Sequence, residues 1–214
     1  ENKTIGVVTQ TQGMRFLTVN IFGEDGHAGT VPLCDRRDAM TGAAAMITFL
    51  NKLAIETDEQ IRMTIGFLQV FPNSISTIPG HVCFTIDLRH PDKILLDTVG
   101  KRIEPALYSI ADQHNLSIEM ECNMEKSPVL FNEEMINLIQ QAADKLGLTN
   151  RRILSGAGHD AMNLAQVVPT SMIFIPCEKG ISHNEHENIT SSDAAAGANV
   201  LLHAIIARAN GLIQ

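Results

Sequence analysis

The chain has 214 residues, 44% hydrophobic and 19% charged, a composition that supplies a core and excludes a disordered polymer. Its net charge of −8 excludes nucleic acid as a partner, because the basic pairs Arg36-Arg37 and Arg151-Arg152 are too short for a phosphate-binding stripe. Cys34, Cys83, Cys122 and Cys177 stand far apart with no Cys-x-x-Cys, which excludes a zinc ribbon or thioredoxin-type site, and no apolar run is long enough for a membrane span.

Leu17, Val19 and Ile21 alternate with Thr18 and Asn20, which predicts a strand. Asp35 is the expected N-cap of a helix that carries Met40, Ala43, Ile47, Leu50 and Ala54 at helical spacing. Residues 63–71 predict a second strand, followed by turn signals at Pro72-Asn73 and Pro79-Gly80. In the third strand Val82, Phe84, Ile86 and Leu88 face one way, and Cys83, Thr85, Asp87 and Arg89 the other. Pro91-Asp92 opens a second helix with Leu95, Val99, Ile103, Ala106 and Ile110 on one stripe. Ile118, Met120 and Cys122 alternate with Glu119 and Glu121 in a fourth strand, and Cys83 and Cys122 read as small buried hydrophobes. The order β-α-β-β-α-β over residues 13–123 is the ferredoxin-like arrangement, a four-stranded antiparallel sheet with two helices on one face.

Lys126-Ser127-Pro128 reads as a junction. Beyond it a helix carries Ile136, Ile139, Ala143 and Leu146 and ends at Gly147. Ile153-Leu154, a Gly-rich turn, a short helix over residues 161–165 and an apolar strand over residues 171–175 follow. Ser191-Ser192-Asp193 caps a last helix expected to run through Leu212. This is alternating α/β structure with few strands, and it reads as half of a larger domain.

Three polar clusters fall in turns: residues 26–30 around His27; residues 155–160 with Gly156, Ala157 and His159; and residues 180–184 with His183, followed by His186 and Glu187. Gly beside His lets the backbone approach a ligand while the imidazole reaches it. Each cluster alone reads more readily as a polar turn than as a site, and His81, His90, His114 and His203 read as solvated histidines. Three clusters together favour a site, although they fall short of the roughly three protein ligands that a catalytic zinc needs.

The first cluster extends to His27-Ala28-Gly29-Thr30-Val31-Pro32 and Arg36-Arg37-Asp38-Ala39. Pro72-Asn73, Ile78-Pro79-Gly80 and Thr85-Ile86-Asp87-Leu88-Arg89 form the next block. Residues 155–161, and Phe174-Ile175-Pro176 with residues 180–184, form the last two. In this order and over nearly the whole chain, the blocks resemble those of the N-carbamoyl-L-amino-acid hydrolase, allantoate amidohydrolase and β-alanine synthase family. These are binuclear metal hydrolases of the wider aminoacylase–carboxypeptidase group.

The resemblance implies an organisation: residues 1–12 as the end of a catalytic segment and hinge, residues 13–123 as a lid and dimerisation domain, and residues 124–214 as the C-terminal part of an α/β catalytic domain. It implies that His27 crosses a dimer interface to polarise the scissile carbonyl. Arg89 would pair with the substrate carboxylate, and Asn73, Ser76, Gly156, Ala157 and His159 would line the substrate pocket. His183 would be a metal ligand. Met14 stands where the family usually has Gln, and Ser76 where it usually has Asn. The family's other metal ligands and its paired glutamates precede the lid and have no counterpart here.

The implied activity is hydrolysis of a ureido, N-carbamoyl or amide C–N bond in a small carboxylate-bearing substrate. An aminoacylase or dipeptidase of the same group, or a non-catalytic lid fragment, are the alternatives. The implied cofactors are two divalent ions, zinc or manganese, in the complete enzyme, with none held stably by this chain alone. The implied partners are the small substrate and a second subunit through the lid, without nucleic acid or membrane, in the cytoplasm.

Overall fold

The computed structural model describes residues 2–211. In chain order it contains β1 (Ile5–Thr11), β2 (Gly13–Phe22), β3 (Gly26–His27), α1 (Ala39–Thr57), β4 (Arg62–Thr64), β5 (Leu68–Phe71), β6 (Thr77–Ile78), β7 (His81–His90), α2 (Lys93–Gln113), β8 (Ser117–Lys126), β9 (Val129–Leu130), α3 (Glu133–Lys145), β10 (Asn150–Ser155), α4 (Ala161–Leu164), β11 (Met172–Phe174) and α5 (Ser191–Ala209). The fold is mixed α/β. The chain divides into two compact units, one of residues 13–128 and one that joins the residues up to 12 to those from 129 onward.

In the unit of residues 13–128 the strands run β4-β7-β2-β8, all antiparallel, with β5 also paired to β7. β2 and β7 pair without slip from Gly13↔His90 to Phe22↔His81. Period-2 alternation fixes that register, because a one-residue slip would turn every buried side chain to the wrong face. Leu17, Val19, Ile21, Val82, Phe84, Ile86 and Leu88 are all buried in one core with Met46 and Leu50 of α1 and Val99, Ile103 and Leu107 of α2. Each such side chain contributes about 1.5–3 kcal/mol on burial. The opposite face of the β2–β7 pair carries Phe16, Thr18, Asn20 and Phe22 opposite Asp87, Thr85, Cys83 and His81.

Several details depart from the sequence expectation. Asp35 lies in a 3-10 turn, Leu33–Asp35, and the cap of α1 is Asp38, whose Oδ1 accepts from the N–H of Met40 at 2.9 Å and of Thr41 at 3.2 Å. The second strand is two short ones, β4 and β5, because pairing with β7 lapses around Gly66, which has no side chain to pack. On α2 the buried stripe is Leu96, Val99, Ile103, Leu107 and Ala111 in place of Leu95, Ala106 and Ile110. Both series obey helical spacing, and periodicity does not choose between adjacent stripes. Cys122 is exposed, on an edge strand whose register with β2 slips between Phe16 and Leu17. His90 is buried, and His81 is stacked between Phe22 and Phe71 with ring centroids 4.8 and 4.9 Å away, so neither is a solvated histidine.

In the other unit β1 is central, with β10 parallel on one side and β11 and β9 antiparallel on the other. Residues 5–11 carried no strand expectation, yet Ile5, Val7 and Val8 are fully buried against Ile136, Ile139 and Ala143 of α3 and Val200 of α5. Gly147 takes a φ of +68° just past α3, the left-handed stop its position predicted. The cap of α5 is Thr190, whose Oγ1 accepts from the N–H of Asp193 at 3.1 Å. The expected helix end at Leu212 lies outside the described residues. No helix among the described residues is long and apolar enough to cross a membrane.

Candidate functional site

β3 ends at His27, which pairs with Thr77 of β6. The turn after it is tied by Arg36, whose Nη2 donates to the carbonyl of Ala28 at 2.7 Å and whose Nε donates to that of Val31 at 3.0 Å. Gly80, at the entry to β7, anchors the approach to β3: its N–H donates to Asp25 Oδ1 at 2.7 Å, and a Cβ there would meet that oxygen at 2.6 Å. The His27 side chain is exposed, and its Nδ1 accepts from the N–H of Gly29 at 3.0 Å. A backbone N–H only donates, so Nδ1 is unprotonated and the ring carries its proton on Nε2. His27 is thereby set as a hydrogen-bond donor.

Asn73 and Ser76 lie in the loop between β5 and β6, both exposed. Asn73 has a φ of +58°, a conformation Asn adopts more readily than most residues. The carbonyl of Ser76 accepts from the N–H of Ala28 at 2.9 Å, so the Asn73–Ser76 loop adjoins the His27 turn. Arg89 is a half-buried residue of β7. Its Nε donates to Asp87 Oδ1 at 2.8 Å, its Nη2 donates to Asp87 Oδ2 at 2.7 Å, and its guanidinium stands 5.6 Å from the centroid of the Phe16 ring. The Asp87 hydrogen bond pushes the Arg89 pKa further up. Any anion meeting Arg89 would share the guanidinium with Asp87.

In the other unit β10 ends at Ser155, and the loop of residues 156–160 leads into α4. Ser155 is 1% exposed. Its Oγ lies 2.9 Å from His159 Nε2, accepts from the N–H of Ala157 at 3.2 Å and reaches the Ala157 carbonyl at 3.2 Å. The His159 ring meets Phe174 edge-on, with centroids 5.5 Å apart. His183 occupies a separate loop, where it has a φ of +57° and donates its N–H to Glu187 Oε2 at 2.9 Å. Among the described residues no three His, Cys, Asp or Glu side chains converge on a metal position. A cleft of about 850 Å³ in this unit, lined by Thr4, Ile153, Phe174, Pro176, Lys179 and Gly180 among others, touches the third cluster at Gly180 but takes in neither His159 nor His183.

Residues 9–207 match the sequence profile of Peptidase family M20/M25/M40. The chain belongs to this family. It is 38% identical over 206 residues to an N-carbamoyl-L-amino-acid amidohydrolase of Rhizobium meliloti, covering 96% of this chain and 50% of that protein. It is 35% identical over 199 residues to allantoate amidohydrolase of Escherichia coli K12, covering 93% of this chain and 48% of that protein. A crystal structure of a hydantoinase/carbamoylase family amidase from Burkholderia vietnamiensis superposes with a TM-score of 0.91 at 43% identity, over 96% of this chain and 50% of that one. The chain thus spans about half the length of the curated relatives it matches.

Of the residues singled out by sequence, this M20 family chain places His27, Asn73, Ser76 and Arg89 in one unit and Gly156, Ala157, His159 and His183 in the other. Sequence reasoning gave no role to Asp87, Arg36 or Ser155, although all three stood inside the blocks that carried the resemblance. It passed over Gln12 entirely. The N–H of Gln12 donates to the Ser155 carbonyl at 3.0 Å. Its buried Oε1 has no hydrogen-bond partner among the described residues and would stand 3.9 Å from a Cβ on Gly156. No periodic pattern marks such a residue, since its buried place rests on a backbone bond to Ser155, more than 140 positions away.

Proposed function

We propose that this chain is the lid and C-terminal part of an amidohydrolase that cleaves C–N bonds other than peptide bonds. Its substrate would be a small carboxylate-bearing molecule with a ureido, N-carbamoyl or amide group. The observation that carries the reading is the Gly29 N–H bond to His27 Nδ1, which leaves Nε2–H as a donor for a carbonyl oxygen that gains negative charge. The names of the relatives, N-carbamoyl-L-amino-acid amidohydrolase and allantoate amidohydrolase, supply the substrate class.

In this reading Arg89 binds the substrate carboxylate through charge-assisted hydrogen bonds, with Asp87 fixing the plane of its guanidinium. Asn73 and Ser76 present polar side chains beside the His27 turn. His27 serves the site of a second subunit, as the family resemblance implies. Two divalent ions, zinc or manganese, belong to the complete enzyme, meaning this chain together with the half of its relatives' length that it does not cover. The described residues do not fit such a pair on their own, because His183 is exposed and belongs to no group of three or more candidate ligands among them.

Ammonia release by the complete enzyme tests the proposal. N-carbamoyl amino acids or allantoate should release it. Hydrolysis of N-acyl amino acids or dipeptides without any turnover of ureido substrates would replace the reading with an aminoacylase or peptidase.

A further inference from the structure

Ser155 and His159 form a part-buried polar contact that the roles above do not use. Three contacts meet at Ser155 Oγ: the N–H of Ala157 at 3.2 Å, the carbonyl of Ala157 at 3.2 Å and His159 Nε2 at 2.9 Å. A serine hydroxyl has one proton to donate and two lone pairs to accept with. The Ala157 N–H must donate, which uses one lone pair. If the hydroxyl proton went to His159, two oxygens would face each other at 3.2 Å with no proton between them. If it goes to the Ala157 carbonyl, the second lone pair accepts from a protonated Nε2 and all three contacts are satisfied. His159 Nδ1 then carries the lone pair. No hydrogen bond to Nδ1 occurs among the described residues, and the side chain is partly exposed. The edge-on Phe174 ring holds the plane of the imidazole.

We infer that Ser155 is a positioning residue that locks His159 in its Nε2–H tautomer and leaves Nδ1 to accept an N–H from a ligand. The ligand half rests on the amidohydrolase reading, where the donor is a ureido or amide nitrogen; the tautomer half does not. His27 and His159 then have opposite polarity, one donating from Nε2 and the other accepting at Nδ1.

Long-range ¹H–¹⁵N spectra of the ¹⁵N-labelled 214-residue chain test this at about pH 8.5, well above the ordinary imidazole pKa of roughly 6.5. The expected result is a pyrrole-type shift for His159 Nε2 and a pyridine-type shift for Nδ1. Ser155→Ala should give averaged shifts from mixed tautomers, and Ser155→Thr, which keeps the hydroxyl, should restore the wild-type pattern. A protonated Nδ1 in the wild-type chain overturns the inference, and that measurement needs no variant to fold. An unchanged tautomer in Ser155→Ala also overturns the role of Ser155. Adding an N-carbamoyl amino acid to the complete enzyme should move the Nδ1 shift, and no movement at saturation overturns the ligand half. The tautomer is read without ligand, so failure of the hydrolase reading leaves a separate result.

Discussion

The backbone N–H of Gly29 donates to Nδ1 of His27 at 3.0 Å. Two residues of one turn therefore decide what the imidazole offers to anything that meets it. The Gly next to Ala28 serves a geometric end, since a Cβ at Gly29 would come within 3.3 Å of the His27 ring. Arg36 holds the rest of the turn through two carbonyls. An oxyanion donor works by standing in place before charge develops, so that no reorganisation is needed during reaction. Under the proposed function, a donor already fixed by its own turn would meet that requirement.

The isolated 214-residue chain should show no hydrolase activity, because the described residues bring no set of three candidate ligands together. The check is ammonia release from N-carbamoyl amino acids and allantoate with zinc or manganese added. Turnover above the rate of a heat-treated sample would mean that the chain holds a complete centre.

Arg89→Lys in the complete enzyme should raise KM for carboxylate substrates while metal content stays constant. The fork that Asp87 orients becomes a single ammonium, which cannot make paired parallel hydrogen bonds. A fully engaged charge-assisted bond is worth roughly 1.5–3 kcal/mol, so the rise should be about tenfold or more. Steady-state kinetics with and without a carboxylate on the substrate make the comparison. An equal KM for wild type and variant would remove Arg89 from the site.

The pH dependence of stability should carry a contribution from Asp58. The N–H of Gln60, and then the His90 side chain, hold its carboxyl below the usual carboxylate range. His90 is buried, and its Nδ1 accepts from the N–H of Asp92 at 2.9 Å, which leaves Nε2 to donate to Asp58 at 3.3 Å. A carboxyl with a lowered folded pKa stabilises the fold above its unfolded value of about 3.9, and the effect is lost as pH falls through the folded value. Asp58→Asn should therefore lower Tm at neutral pH and converge with wild type in acid. A gap in Tm that widened on acidification would reverse the assignment.

Two inactive variants of the complete enzyme, His27→Ala and His183→Ala, should recover part of the activity when mixed. If His27 serves the partner's site, one of the two sites in a mixed dimer contains both histidines. If it serves its own subunit, every site lacks one of them. Mixed dimers that form but do not turn over would place His27 in its own subunit's site.

Much of the sheet of residues 13–128 was legible in the sequence, because Val82 to Leu88 and Leu17 to Ile21 keep strict alternation and one buried face fixes their register. Features set by contact were less legible. Asp35 and Asp38 are both acceptable caps, and the choice between them depends on where the 3-10 turn at residues 33–35 places the chain. β1 was missed because Gly6 interrupts its apolar run, and its partner β10 lies far along the sequence. The candidate site residues were read from ordered blocks such as His27 to Pro32. Their hydrogen-bonding polarity was not, since a proton on Nε2 or Nδ1 is decided by Gly29 for one histidine and by Ser155 for the other.

The most direct measurement is the turnover of the complete enzyme carrying His27→Ala, on an N-carbamoyl amino acid at saturating concentration. Loss of a donor that acts in the transition state predicts a fall in kcat of roughly 10²–10³, with KM changed little and bound metal unchanged. A kcat within about twofold of wild type would contradict the account, and His27 would then be an exposed turn histidine whose bond to Gly29 serves only the turn.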